Sequence, residues 1–196
     1  MNRRPPPPRR AAAPGVVRII GGQLRGSKLP VADRPGLRPT ADRVRETLFN
    51  WLQPRLPGAR VLDLFAGTGA LGFEAASRGA ASVVLVERDP GLAASLREQA
   101  ARLKVENLRV ESADALAWLA GAPKQGFDLA FLDPPFDAGL WEAAAAALAP
   151  ALAPDALVYV EAPLAAAPRL PAGWQPHREG QTRDVRYALW RARGPT

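Results

Sequence analysis

The sequence of 196 residues contains no cysteine and a single histidine, His177. Without thiols there can be no disulfide, no thiolate metal site and no mechanism that depends on a nucleophilic sulfur, and a reducing compartment fits. One imidazole leaves a histidine-ligated zinc site, or a triad of serine, histidine and aspartate, without its parts. No metal is therefore expected, and His177 reads as structural. Nor does any apolar run approach the roughly 20 residues that span a bilayer. The N-terminal MNRRPPPPRRAAAPG lacks the apolar centre of a secretory signal. The expectation is a cytoplasmic protein that does not enter a membrane.

What is present is an ordinary globular composition, 47% hydrophobic and 23% charged, at a length that suits one main domain with a full core. The formal charge of +7 is unevenly spread: residues 1–50 hold eleven Lys/Arg against three Asp/Glu, and the remainder fifteen against sixteen. That imbalance points to a polyanion partner near the N-terminus. Part of it, Arg3, Arg4, Arg9 and Arg10, sits in the proline-rich stretch 1–15, which cannot bury a core and is expected as an extended or disordered arm. Arg18, Arg25, Lys28, Arg38, Arg43 and Arg45 lie instead in sequence that carries the marks of order.

From Val16, VRIIGGQLRGSKLPV shows short β-like runs broken by glycine, the pattern of a small hairpin with basic side chains toward solvent. A helix follows. Thr40 is placed as its N-cap, Asp42 in its first turn, and Val44, Leu48, Trp51 and Leu52 form an apolar stripe that Pro54 brings to an end. From Arg60 the rhythm changes to alternating strands and helices: ARVLDLF, a glycine loop entering a helix that stops at Gly79, ASVVLVERD, a helix near 91–104, NLRVES, a short helix near 115–119, FDLAFLD, an alanine-rich helix near 140–149, and ALVYVEA. This spacing implies an α/β fold with a mostly parallel sheet and helices on both faces. GWQPHREG and DVRYALWRAR have no helix between them and read as an antiparallel hairpin closing one edge.

Gly67-Thr68-Gly69-Ala70-Leu71-Gly72 fits G-x-G-x-x-G between a strand and a helix, the context in which glycines let the backbone approach a ligand at the carboxyl end of a strand. Glu87, at the end of the next strand, is placed to accept hydrogen bonds from ribose hydroxyls. NAD and S-adenosylmethionine both satisfy these features. Asp63 favours the second, because a carboxylate before the loop repels a pyrophosphate and welcomes a sulfonium and an ammonium. Asp114, after the third strand, is placed to accept from an adenine amine. Taken singly, each acid has a structural reading of equal weight: Asp63 as a turn cap, Glu87 as a surface acid, Asp114 as a helix N-cap.

Asp133-Pro134-Pro135-Phe136 follows the fourth strand and falls on the same edge as the glycine loop. Proline holds both Asp133 and itself extended, which fixes an array of acceptors. An exocyclic amine of a nucleobase is a poor nucleophile because its lone pair is delocalised into the ring. Hydrogen bonds from both amine hydrogens, to the Asp133 carboxylate and the Pro134 carbonyl, favour a pyramidal nitrogen whose lone pair can meet a sulfonium methyl. Phe136 offers a stacking face for a base turned out of its helix. A plain loop after a strand accounts for one proline, not for the acid, both prolines and the ring together.

RIIGGQLRGSKLPV, GLRPTADRVRETLFNWL, VLDLFAGTGALGFEA and FLDPPF, in this order, resemble the RsmD family, the bacterial 16S ribosomal RNA guanine-N(2) methyltransferases. The resemblance runs from about Val16 to the final strand. It implies a Rossmann-like class I methyltransferase fold, with a seven-stranded mostly parallel sheet whose last strand is antiparallel. Residues 16–55 would form an RNA-binding extension and 56–196 the methyltransferase domain. S-adenosylmethionine would be the donor, held by Asp63, Phe65, Ala66, Gly67, Thr68, Gly69, Glu87 and Asp114, while Asp133, Pro134, Pro135 and Phe136 hold the guanine. Arg25, Arg38, Thr40, Arg43 and Arg45 become RNA contacts, the partner being 16S rRNA in the small subunit or its assembly intermediate, met by a monomer. Four rivals share parts of the pattern: a DNA adenine methyltransferase, for which the chain has no room for a target-recognition domain; a release-factor glutamine methyltransferase, usually with Asn in place of Asp133; an NAD-dependent oxidoreductase, which leaves the Asp-Pro-Pro-Phe unexplained; and a non-catalytic RNA-binding assembly protein.

Overall fold

In the computed structural model, residues 15–31 and 41–192 are described. The proline-arginine arm up to residue 14, and Arg38 and Thr40, lie outside them. A two-stranded antiparallel hairpin, β1 (Gly15–Arg18) and β2 (Lys28–Val31), precedes helix α1 (Asp42–Leu52). The alternating region follows as β3 (Arg60–Asp63), α2 (Ala70–Ser77), β4 (Ser82–Glu87), α3 (Pro90–Arg102), β5 (Leu108–Ser112), α4 (Ala115–Ala120), β6 (Phe127–Leu132), α5 (Trp141–Leu148) and β7 (Leu152–Pro163). Strands β8 (Trp174–Gln181) and β9 (Val185–Ala192) complete a seven-stranded sheet of order β5-β4-β3-β6-β7-β9-β8. Only β9 runs against its neighbours. The chain winds outward from β3 through β4 to β5, then returns to β6 on the other side, so the crevice between the carboxyl ends of β3 and β6 is the switch point where such sheets bind ligands.

Alternation along the strands separates two apolar layers. Val61, Leu85, Phe131 and Tyr159 face α1, α2 and α3, whereas Leu62, Val84, Ala130 and Val158 face α4 and α5. Val17, Ile19 and Leu29 of the hairpin and Val44, Leu48, Phe49 and Leu52 of α1 are buried in the first layer. The N-terminal segment therefore completes the main core. Helix α1 descends across this face: Phe49 packs edge-on against Phe131 in β6, and Arg55, beyond its end, donates to the Asp155 carbonyl near the start of β7 at 3.2 Å. Its first turn thus lies toward the carboxyl edge. That turn starts one residue later than the sequence indicates. The N-cap is Ala41, with no side-chain cap bond; Thr40 lies outside the described residues.

The Gly-Gly of IIGGQL is explained by docking. The loop after β1 lies on the C-terminal half of α2: the amides of Ile20 and Gly21 each donate to the Glu74 carboxylate at 2.8 Å, and those of Gln23 and Leu24 donate to the Ser77 carbonyl and hydroxyl. Gly22 has φ of +76°, and a Cβ there would sit 1.9 Å from the Ser77 carbonyl oxygen, so only glycine permits the contact. At the far edge of the sheet, Pro176 pairs with Trp190 and Arg178 with Leu189, which leaves His177 as the extra residue of a bulge. A bulge and a proline on an exposed edge strand discourage further strand addition. His177 is exposed there, its pKa lowered by partial desolvation and by Arg191, Arg178 and Arg55.

Candidate active site

Two glycines with positive φ, Gly67 at 52° and Gly69 at 75°, turn the chain from β3 into α2. Gly69 is the N-cap and supplies no side chain to the first turn. Gly72 is needed for a different reason: a Cβ would lie 2.1 Å from Leu85 Cδ2, so the third glycine lets α2 press onto β4. Its amide donates to Asp63 Oδ2 at 3.0 Å. Asp63 is 2% exposed, and burial pushes its carboxyl up to about 7, a rise that the Gly72 amide moderates and the nearby Glu87 charge reinforces. Glu87 bridges loop and strand, accepting from the amides of Gly67 at 2.9 Å and Asp89 at 2.7 Å. Ala66 is buried, its amide donating to the Val86 carbonyl, while Phe65 and Thr68 are half-buried.

A narrow cleft opens beside this loop, lined by Gly67 and Thr68, by Leu92, Ser95 and Gln99 of α3, and by Pro30 of the hairpin. Pro30 was not singled out from the sequence, since nothing local marks a strand residue as the wall of a site formed by chain far away. The left-handed glycines and the carboxylates at the ends of β3 and β4 suit the ribose and the cationic end of an adenosyl amino acid. Asp114, exposed at the end of β5, accepts from the amides of Leu116 and Ala117 through Oδ1 and caps α4. Its structural reading is realised, on the edge where the functional one needs it.

The second half of the site follows β6. Phe131 is locked between Phe49 and Tyr159, ring centroids 6.0 and 6.2 Å away, and its carbonyl accepts from the Leu64 amide at 3.2 Å, joining the ends of β3 and β6. Asp133 is half-buried, Pro134 buried, Pro135 exposed and Phe136 half-buried. The Pro135 carbonyl accepts from the Ala138 amide, closing a turn, and the Phe136 ring rests against Trp141 at 6.1 Å. Trp141 in turn donates its indole N–H to the Glu161 carbonyl at 2.7 Å. The Tyr159 hydroxyl donates to Glu161 Oε2 at 2.6 Å. Burial, then the Glu161 and Asp133 charges, hold that phenol protonated well above its usual range.

The basic residues divide. Arg25 is exposed in the hairpin loop and Arg43 in the first turn of α1; Arg38 and Thr40 lie outside the described residues. Arg45, expected to face RNA, is instead fully buried. It donates to Asp42 at 2.6 Å and to the Arg18 carbonyl at 2.9 Å, and lies 3.6 Å from Glu74. A guanidinium so enclosed joins the hairpin, α1 and α2, and does not meet a polyanion in this conformation. No group of His, Asp or Glu among the described residues has the arrangement of a metal site, and no described helix is long and apolar enough to cross a membrane.

A family model described as conserved hypothetical protein 95 matches residues 17–191. The ribosomal RNA small subunit methyltransferase D of Escherichia coli (strain K12) is 49% identical over 181 residues, 90% of this chain and 90% of its own. The protein of the same name from Haemophilus influenzae (strain ATCC 51907 / DSM 11121 / KW20 / Rd) is 44% identical over 183 residues, 91% of this chain and 95% of its own. The solved structure of Escherichia coli yhhF, described as a methyltransferase, superposes with a TM-score of 0.83 at 47% identity, covering 92% of this chain and all of that one. The seven-stranded sheet is that of the class I methyltransferases.

Proposed function

We propose, for a chain that belongs to the family of the ribosomal RNA small subunit methyltransferases D, that it methylates the exocyclic N(2) amine of a guanine in 16S rRNA. The observation that carries the reading is the convergence of Glu87, Asp63 and Asp-Pro-Pro-Phe on the carboxyl ends of three adjacent strands, β4, β3 and β6, at the switch point. S-adenosylmethionine supplies an electrophilic methyl group. Gly67, Thr68 and Gly69 give it close backbone, Glu87 takes ribose hydroxyls, and Asp63 sits where a cationic end is welcome. Asp114 offers an acceptor to the adenine.

Asp133 and the Pro134 carbonyl receive the two amine hydrogens, so the guanine nitrogen presents its lone pair as the methyl–sulfur bond breaks and the methyl–nitrogen bond forms. The excess proton leaves the nitrogen afterwards, and no covalent enzyme intermediate is required. Phe136, backed by Trp141, stacks on the flipped base. The segment 16–55 binds RNA through Arg25, Arg38, Thr40 and Arg43, with Arg45 as its internal brace, and a monomer acts in the cytoplasm on the assembled or assembling small subunit. The test is transfer of labelled methyl onto undermodified small subunits and onto naked 16S rRNA, followed by nucleoside analysis. N(2)-methylguanosine is expected; methylated adenosine would overturn the base assignment. Titration with S-adenosylhomocysteine and NAD checks the donor, and binding of NAD alone would refute it.

A further inference from the structure

His177, the one imidazole of the chain, has no part in methyl transfer, yet positive charge is gathered around it at the bulge of β8. Strand β9 sets Arg191 opposite Gln175 and Leu189 opposite Arg178. Leu189 packs in the apolar layer under α1, so Arg191 by alternation and Arg178 by pairing lie on that same face. Arg55 reaches it from beyond the end of α1, where Trp51 rests on Tyr187 at 5.7 Å and Arg55 donates to the Asp155 carbonyl at 3.2 Å. The charges of Arg191, Arg178 and Arg55 all act on His177. Among the described residues, none of the three guanidiniums is held in an ion pair with a carboxylate. Arg55 also acts on Asp128, but Arg60 engages both oxygens of that carboxylate, at 3.0 and 2.9 Å. Glu179, opposite Ala188, falls by alternation on the other face.

Grouping like charges costs electrostatic energy. Protection of an edge strand accounts for Arg178 on β8, but it asks nothing of Arg191 on the inner strand β9, nor of Arg55. The group suits a polyanion, whose phosphates relieve the repulsion and release their own counterions on binding. Val185 pairs with Pro163 near the carboxyl edge, and Arg191 with Leu157 six residues further along β9, about 20 Å away. Trp51 and Trp190 are half-buried, so the surface offers no exposed ring on which a base could stack, and it reads backbone rather than sequence. We propose that Arg55, His177, Arg178 and Arg191 form a second RNA contact, which grips the phosphate backbone of 16S rRNA about 20 Å from the edge that receives the target nucleotide. This inference rests on the function proposed above. It gives the enzyme a means to favour a large folded RNA, because a short fragment carrying only the target cannot reach both places.

The probes are undermodified small subunits, naked 16S rRNA, and a short RNA stem-loop carrying the nucleotide that the wild-type protein methylates. Arg178→Ala/Arg191→Ala is expected to bind subunits and 16S rRNA about tenfold more weakly, with the slope of log affinity against log salt shallower by about 1.4–1.8, twice the change for one phosphate. Its methyl transfer to the stem-loop and its affinity for S-adenosylhomocysteine should be unchanged. Arg178→Lys/Arg191→Lys, which keeps the charge, should retain most of the slope. An unaltered slope on both large RNAs would overturn the proposal, and so would an equal loss on the stem-loop, which would mean a structural role. A loss on subunits with naked 16S rRNA unaffected would also overturn it, by giving the surface to a ribosomal protein. Should the double variant fail to fold, Arg178→Ala alone, on the exposed edge strand, is read by the same slope: shallower by about 0.7–0.9 supports the proposal, and unchanged overturns it. If the wild-type protein transfers no methyl to rRNA, the functional reading falls by itself, and the RNA contact falls with it only where the variant leaves the salt slope on 16S rRNA untouched.

Discussion

The two ends of α2 are built from the same residue types for opposite purposes. At its N-terminal end, Gly67 and Gly69 open the backbone, and Asp63 and Glu87 hold the amides of Gly72 and Gly67 beside a cleft. At its C-terminal half, Gly21 and Gly22 let another loop lie flat on the helix, and Glu74 is enclosed by Ile20, Gly21, Arg45 and Arg78. Glycine and a buried acid mark a ligand site only where the surrounding chain leaves room. Where another segment already fills the space, the same pair is a clasp. The clasp joins the proposed RNA-binding segment to the helix that begins at the proposed donor site, so the relative position of the two is set by buried polar contacts as well as by apolar packing.

Breaking the clasp should have the largest effect. Glu74→Ala leaves the buried Arg45 without a nearby fixed carboxylate other than Asp42 and strips the acceptor from two backbone amides. A loss of about 3–5 kcal/mol of stability is expected, read as a lowered midpoint in urea. A loss below about 1 kcal/mol would mean that the loop is held by packing alone. At the open edge the balance reverses. Asp133→Ala should cost at least about a hundredfold in methyl transfer while S-adenosylhomocysteine binding and thermal stability change little. Loss of binding instead would assign Asp133 to the donor.

How far the sequence reveals this contrast depends on the distance over which each feature is defined. The glycine loop, the acid on the next strand and Asp-Pro-Pro-Phe are local patterns in a repeating strand and helix rhythm, and they stand at the strand ends where that rhythm puts them. The hairpin and α1 were also legible as elements. Their burial was not: Arg45 reads as one more basic residue in ADRVRE, and its partner Glu74 as one more polar position in a helix, until the fold brings them within 3.6 Å. The helix starts one residue later than the threonine suggests, because helix ends are defined less sharply by sequence than helix interiors.

A smaller effect tests Asp63 at the open end. Its carboxyl titrates near 7, so the folded protein keeps a proton that the unfolded chain releases at much lower pH. Stability therefore falls as pH rises from about 4 toward 7 and levels beyond it. A cationic donor favours the charged carboxylate, so binding should release a proton, and affinity should rise by up to about tenfold per pH unit below 7. Titration calorimetry between pH 6 and 7, in buffers of different ionisation enthalpy, measures both quantities. Asp63→Asn should flatten the profile. An affinity independent of pH in the wild type would mean that the carboxyl does not sense the donor's charge.

The smallest expected effect separates two arginines one turn apart in role and two residues apart in sequence. Arg43 is exposed on the first turn of α1, toward the carboxyl edge, whereas Arg45 points inward to the clasp. If the first meets phosphate, Arg43→Ala should leave stability within about 0.5 kcal/mol and weaken subunit binding a few-fold. The slope of log affinity against log salt should become shallower by about 0.7–0.9. Arg45→Ala should do the reverse, lowering the unfolding midpoint while the salt slope of the protein that remains folded is preserved. The salt slope is the decisive quantity, because loss of a helix surface charge lowers affinity in many ways but changes counterion release only when that charge neutralised a phosphate. An unaltered slope in Arg43→Ala would remove this residue from the RNA interface and leave the hairpin, with Arg25 in its exposed loop, as the basic surface to test.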